Sequence, residues 1–179
     1  MNGRDIRFHA GDTRPVDEPS CYSFCRRVLT TISEYGCKEI ITLGGIGLKE
    51  LPNEPQLFIT GTSKEVVKKY SFDNVRTDLY GIVGPIVGVS GVLVALAKLK
   101  GSEGITLLGE TLAHPMFLGV KTSKIMLAYL SKILSIKVNL KELDYEIDAL
   151  EKELKAVDEL EEIQKTAHDS KKIDSNYIG

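Results

Sequence analysis

The chain has 179 residues, of which 42% are hydrophobic and 27% charged, and a formal net charge of -2. Such a composition supports one domain with its own apolar core plus an appendage, and it excludes a disordered chain. The near-neutral balance, with no cluster of Lys or Arg interleaved with aromatics, gives no general attraction to nucleic acid.

The alternating stretch from Asp5 to His9 predicts a strand, and Pro19 to Tyr35 predicts a helix opened by Pro19 and stopped near Gly36. Cys21, Cys25 and Cys37 form an odd set whose spacing matches no disulfide framework or zinc signature. They are expected to be ordinary thiols in a reducing cytosol, with no metal or cofactor. No basic segment followed by an apolar one opens the chain, so no secretory leader is expected. A buried strand is predicted at Glu39 to Leu43 and another at Gln56 to Thr60, followed by a short helix through Tyr70 with Ser63 as its N-cap.

The stretch from Gly84 to Glu110, "GPIVGVSGVLVALAKLKGSEGITLLGE", reads as one strand, turn, helix and strand unit. Ile82 to Val89 is extended, Ser90 caps a helix through Lys100, Gly101 ends it, and Ile105 to Leu108 is a short apolar strand. Val92 to Ala97 is apolar nearly all round, which predicts a helix in the domain interior. The longest uncharged run, Gly81 to Ala97, contains Gly81, Gly84, Pro85, Gly88 and Gly91 and falls short of the ~20 apolar residues a spanning helix needs. No membrane partner is expected.

Lys121 to Ile136 predicts a further amphipathic helix. Asn139 and Glu142 then have capping-box spacing, and apolar residues recur at Leu143, Ile147, Leu150, Leu154, Val157 and Leu160. From Leu140 to Ile163 there are ten acidic residues against three lysines, a net -7 that leaves +5 for the remainder. This is a coiled-coil-like seam on an acidic helix, expected to be an oligomer interface once another subunit covers it. The predicted organisation is a core domain over 1–138, an acidic amphipathic helix over 139–167 and a flexible tail over 168–179.

Alternating strands and helices predict an α/β fold with a mostly parallel sheet. Four predicted strands end alike, in "FHAGDT", "TLGGIG", "FITGTS" and "LLGET", and in an open parallel sheet such ends gather along the edge where ligands bind. Asp12, Thr13, Arg14, Gly44, Gly45, Ser90, Gly91 and Glu110 are therefore candidate pocket residues, with Thr62, Ser63 and Thr111 beside them. Backbone N–H groups at Gly44, Gly45 and Gly91 are available to an anion. Glycines after strands also serve to turn the chain, and "GPIVGVSG" is neither a Walker A nor a dinucleotide-binding pattern. Gly88-Val89-Ser90-Gly91 is one residue short of a nucleophile elbow, and His9 and His114 are isolated. Glu110 is the best general-base candidate, and a capping carboxylate explains it as well.

Together "GRDIRFHAGDTRP", "EIITLGGIG", "GPIVGVSGVLVALAKLKGSEGITLLGETLAHP" and the helix after them resemble the proteasome assembly chaperone 2 family, in particular its archaeal-type members, from about Gly3 to Leu154. The resemblance implies a three-layer α/β/α fold similar to nucleoside phosphorylases, a chaperone or scaffolding role without catalysis, and self-association. An ATP-grasp-like label carried by some members finds no support in these residues. Family domains usually begin with another strand and helix, so the chain looks N-terminally short. Members that dock on the proteasome end in a hydrophobic residue, Tyr and any residue, whereas Asn176-Tyr177-Ile178-Gly179 places Tyr177 one position early. The expected function is a cytoplasmic, non-enzymatic assembly chaperone or scaffold with proteasome subunits or another protein client. The alternative is a small-molecule enzyme acting on a nucleoside or phosphate ester at the strand-end pocket.

Overall fold

A computed structural model describes residues 5–11, 13, 15–72, 75–78, 88–114 and 119–149. Contacts divide the chain into two units, Met1–Val138 and Asn139–Gly179. The first is an α/β unit in the order α1 (Glu18–Glu34), β1 (Glu39–Leu48), β2 (Leu57–Gly61), α2 (Lys64–Tyr70), α3 (Val89–Leu99), β3 (Glu103–Leu112) and α4 (Val120–Leu134).

Among the described residues the sheet has three strands in the order β1-β3-β2. β1 runs parallel to β3, with Glu39 opposite Glu103 and Leu48 opposite Leu112, whereas β2 is antiparallel to β3, with Leu57 opposite Gly109 and Gly61 opposite Ile105. The sheet is thus mixed, and the expected mostly parallel sheet is corrected. The cause is the short β1–β2 connection of residues 49–56, which contains Pro52 and Pro55 and no helix. A parallel return needs a crossover of about a dozen residues or more. β2 therefore starts at the edge where β1 ends and runs back.

Helices cover both sheet faces. On one, α1 and α3 enclose Cys21, Cys25, Leu29, Ile32, Ile40, Leu93 and Ala97. Cys25 is fully buried, and burial, with Cys21 beside it, pushes its thiol up to about 11. On the other face α2 and α4 lie over Leu57, Ile59, Ile105 and Leu107. Gly109 is required there, because a Cβ on it would stand 2.3 Å from Thr122 Cγ2 of α4.

Caps explain several boundaries. Asp17 accepts the Ser20 N–H at 2.9 Å to start α1 at Glu18, one residue ahead of the predicted Pro19 opening, and Ser63 accepts the Val66 N–H at 3.2 Å to start α2 as expected. Ser90 is not the cap of α3. Gly88 takes that place at φ 92°, a left-handed conformation that only glycine adopts without strain, and Ser90 falls inside the first turn. Nor is α3 an interior helix. Leu93, Val94 and Ala97 are buried, but Ala95 is exposed and Leu99 is 81% exposed, because α3 lies on the sheet beside α1 and one side faces outward.

Asp5–His9 forms no strand. This stretch is largely exposed, with Arg7 stacked 3.6 Å over the Tyr35 ring, and it pairs with no strand among the described residues, so five alternating residues do not suffice. Residues 82–87 of the predicted strand before α3 lie outside the described residues, and Val89 already belongs to the helix.

In the second unit a helix, α5, covers 141–149. Asn139 Oδ1 accepts the Lys141 N–H at 3.2 Å and its Nδ2 donates to Glu142 at 3.3 Å, so the two residues with capping-box spacing meet. Leu143 and Ile147 are half-buried. Leu150, Leu154, Val157 and Leu160 of the predicted seam lie outside the described residues, as does the tail with Tyr177 and Ile178.

One ion cluster holds the sheet's starting edge. Glu39 and Glu103 are register partners, like charges that repel across a strand pair, and Lys69 of α2 donates to both, at 2.9 Å to Glu103. Glu103 first and Glu39 second hold the Lys69 ammonium above the usual lysine range. A raised folded value means that this stabilisation is complete below the ordinary lysine pKa of about 10.4 and is lost as pH climbs past it. Because the side chain is 43% exposed, screening by solvent keeps the effect small. Lys69→Met is expected to lower the unfolding free energy at pH 7 by about 0.5–1 kcal/mol, with the difference from wild type shrinking above about pH 11. Urea unfolding across pH measures this, and an unchanged midpoint at pH 7 would show that the cluster contributes nothing.

Candidate functional site

The ends of β1 and β3 define one edge of the sheet, and the antiparallel β2 begins at that edge and ends at the opposite one. Thr62 and Ser63 therefore stand with the starts of β1 and β3, away from Glu110. Thr62 Oγ1 accepts the Gly104 N–H at 3.2 Å, and Ser63 caps α2. The expected gathering of four glycine-ended strands at one edge is corrected: β2 is reversed, and Phe8–Thr13 follows no strand.

The remaining candidates scatter. Asp12 and Arg14 lie outside the described residues, and Thr13 is exposed ahead of α1. Gly44 and Gly45 sit within β1 opposite Leu108 and Gly109, not beyond its end. Gly91 lies in the first turn of α3. Glu110, the general-base candidate, accepts the Gln56 N–H through its carboxylate at 3.0 Å, while its own N–H donates to Gln56 O at 3.1 Å. It fastens the start of β2 to β3, and Arg76, which donates to Gln56 Oε1 at 3.1 Å, lies beside this junction.

What the fold does bring together is a hydroxyl cluster under the first turn of α3. Thr42 Oγ1 lies 2.9 Å from Thr106 Oγ1 and 3.4 Å from the carbonyl oxygens of Ser90 and Ile105. The Ser90 hydroxyl donates to Leu43 O at 3.4 Å. Gly44 leaves room for this contact, since a Cβ there would come within 2.9 Å of Leu108 Cδ2 and 3.9 Å of Ser90 Oγ. Thr42 and Thr106 are buried register partners that sequence reasoning passed over. Their signal was the shared Ile-Thr-Leu at 41–43 and 105–107, a hydroxyl placed inside two apolar runs.

These groups hold the helix to the sheet. Ser90 has a carbonyl, not a base, as its partner, and Glu110 has a backbone N–H. Among the described residues no group of three His, Cys, Asp or Glu side chains is arranged to hold a metal ion, and no helix is long and apolar enough to cross a membrane. Along the strand-end edge the described segments 17–18, 45–56, 75–78, 109–114 and 119–124 carry four cations and six carboxylates, a balance that disfavours anions.

The model of the family described as "PAC2 family" matches residues 2–158. An uncharacterized protein of Methanocaldococcus jannaschii is 30% identical over 174 residues, which is 94% of this chain and 65% of that protein. The crystal structure of Pyrococcus furiosus PbaB, described as an archaeal proteasome activator, is 32% identical with a TM-score of 0.74, covering 83% of this chain and 63% of that one. Pyrococcus furiosus PbaA, described as an archaeal homolog of proteasome-assembly chaperone, is 22% identical with a TM-score of 0.64, covering 82% of this chain and 64% of that one. The chain thus spans just under two thirds of the relatives' own length.

If the hydroxyl pair fixes α3, Thr42→Val should destabilise the protein by about 1–2 kcal/mol by leaving the Thr106 hydroxyl unpartnered. Adding Thr106→Val should recover part of the loss, since both polar groups are then gone. Denaturant unfolding of Thr42→Val, Thr106→Val and the double variant decides it; a double variant that loses as much stability as the two singles together, or more, would contradict the pairing.

Proposed function

The chain belongs to the PAC2 family, and from that premise we propose that it is a non-enzymatic assembly chaperone or scaffold whose client is the proteasome or its subunits. The observation that carries this is the match to PbaB at 32% identity, together with a site whose polar side chains hold helices and strands in place. The enzymatic alternative gains no such support, because among the described residues neither Ser90 nor Glu110 meets a partner that would activate it. The cytosol, expected from unpaired thiols, belongs to the same proposal, as does a likeness to nucleoside phosphorylases in the layering of helices on both sheet faces.

Self-association through the acidic helix is the second part. Leu143 and Ile147, with Leu150, Leu154, Val157 and Leu160 behind them in sequence, make an apolar stripe that a neighbouring copy would cover, leaving the carboxylates in water. A scaffold needs a repeated surface, and a closed oligomer supplies one.

Coexpression with the proteasome subunits of the same organism is expected to raise the yield of assembled particles, and a panel of nucleosides and phosphate esters is expected to show no turnover. Turnover that Glu110→Gln abolishes would overturn the reading. Light scattering of the purified chain should give a multimer at micromolar concentration, and Leu143→Glu with Ile147→Glu should reduce it to the 19.7 kDa chain. A wild-type mass of one chain would refute the oligomer.

A further inference from the structure

The edge opposite the strand-end candidates is the basic one. β1 and β3 begin there, β2 and α3 end there, and α2 starts there. α4 ends there too, since Thr122 bonds Glu110 O at the far edge while Ile133 packs with Ile59, Val66, Tyr70 and Ile105. The four connecting segments, 34–39, 61–69, 98–103 and 132–137, hold eight lysines and four glutamates, a net +4. Lys69 is engaged by Glu39 and Glu103, and Lys98 acts on Glu65. Lys38, Lys64, Lys68 and Lys100 are exposed and have no ion-pair partner among the described residues. A ridge of flexible cations around a patch already neutralised at its centre fits an acidic, elongated partner and not a single small anion.

The sequence supplies one such partner. Residues 140–163 carry a net charge of -7, and in α5 Glu142, Asp144, Glu146 and Asp148 are all exposed. Glu142 and Glu146 are spaced i,i+4, like charges that repel on a helix and are relieved by a cationic surface. Nine helical residues extend about 13 Å, comparable with three strands at ~4.8 Å spacing. We propose that the lysine edge of one copy receives the acidic segment 140–163 of a second copy. The inference rests on the self-association proposed above and names the charged surfaces that direct it, with the apolar stripe contributing affinity and the charges setting orientation and rate.

Sedimentation equilibrium of the full chain tests this with two charge-reversed variants. One carries Lys64→Glu, Lys68→Glu and Lys100→Glu, the other Glu146→Lys, Asp148→Lys and Glu151→Lys. The expected outcome is wild-type association weakened about tenfold or more between 50 and 500 mM NaCl, each variant monomeric alone, and a complex when the two are mixed. Circular dichroism confirms folding, and Lys→Gln at the same three positions replaces the first variant if it fails to fold. Association indifferent to salt and to the lysine substitutions, yet abolished by Leu143→Glu with Ile147→Glu, overturns the lysine edge and leaves the stripe intact. A wild-type chain that stays monomeric at about 100 µM overturns both.

Discussion

β3 is the strand on which the first unit depends. It bonds to β1 along its full length and to β2 along half of it, and six successive residues, Gly104 to Gly109, are buried. A strand covered on both faces must be apolar throughout or pair whatever polar groups it keeps. Thr106 meets this demand with Thr42 of the neighbouring strand, and Gly109 meets it sterically by letting Thr122 and α4 approach. α3 and α4 are positioned by these two residues on opposite faces, so sheet, layers and helix spacing share one origin.

Strand direction then decides where chemistry can gather. With β2 reversed, polar residues that would meet in a parallel sheet are divided between two edges, and each acquires a local bonding role: Thr62 to Gly104, Ser63 to α2, Glu110 to Gln56. The same reversal sorts charge, concentrating lysines where β1 and β3 begin and carboxylates where they end. Such a polarised body offers two chemically distinct edges.

Much of this was legible in advance. The apolar runs at 39–43 and 105–108, the caps at Ser63 and the glycine stop after α1 follow from side-chain period and local hydrogen bonding, and they reappear in the fold. Family membership was legible from the blocks around Gly84–Glu110. Strand direction was not, since the β1–β2 connection signals its reversal only through its length and lack of a helix. Asp5–His9 shows the converse limit: alternation specifies a face, while pairing depends on a neighbour that no local pattern names. The Thr42–Thr106 pair was hidden for a related reason, because two hydroxyls 64 residues apart become partners only once the parallel register is set.

The proposed role of this PAC2 chain is to hold proteasome proteins and not to turn over a substrate. Native mass spectrometry of the purified chain mixed with proteasome α-subunits of the same organism tests it most directly. Defined complexes of several copies of the chain with α-subunits are expected. Absence of any complex at about ten times the micromolar Kd expected of a transient scaffold, with both partners folded, would contradict it.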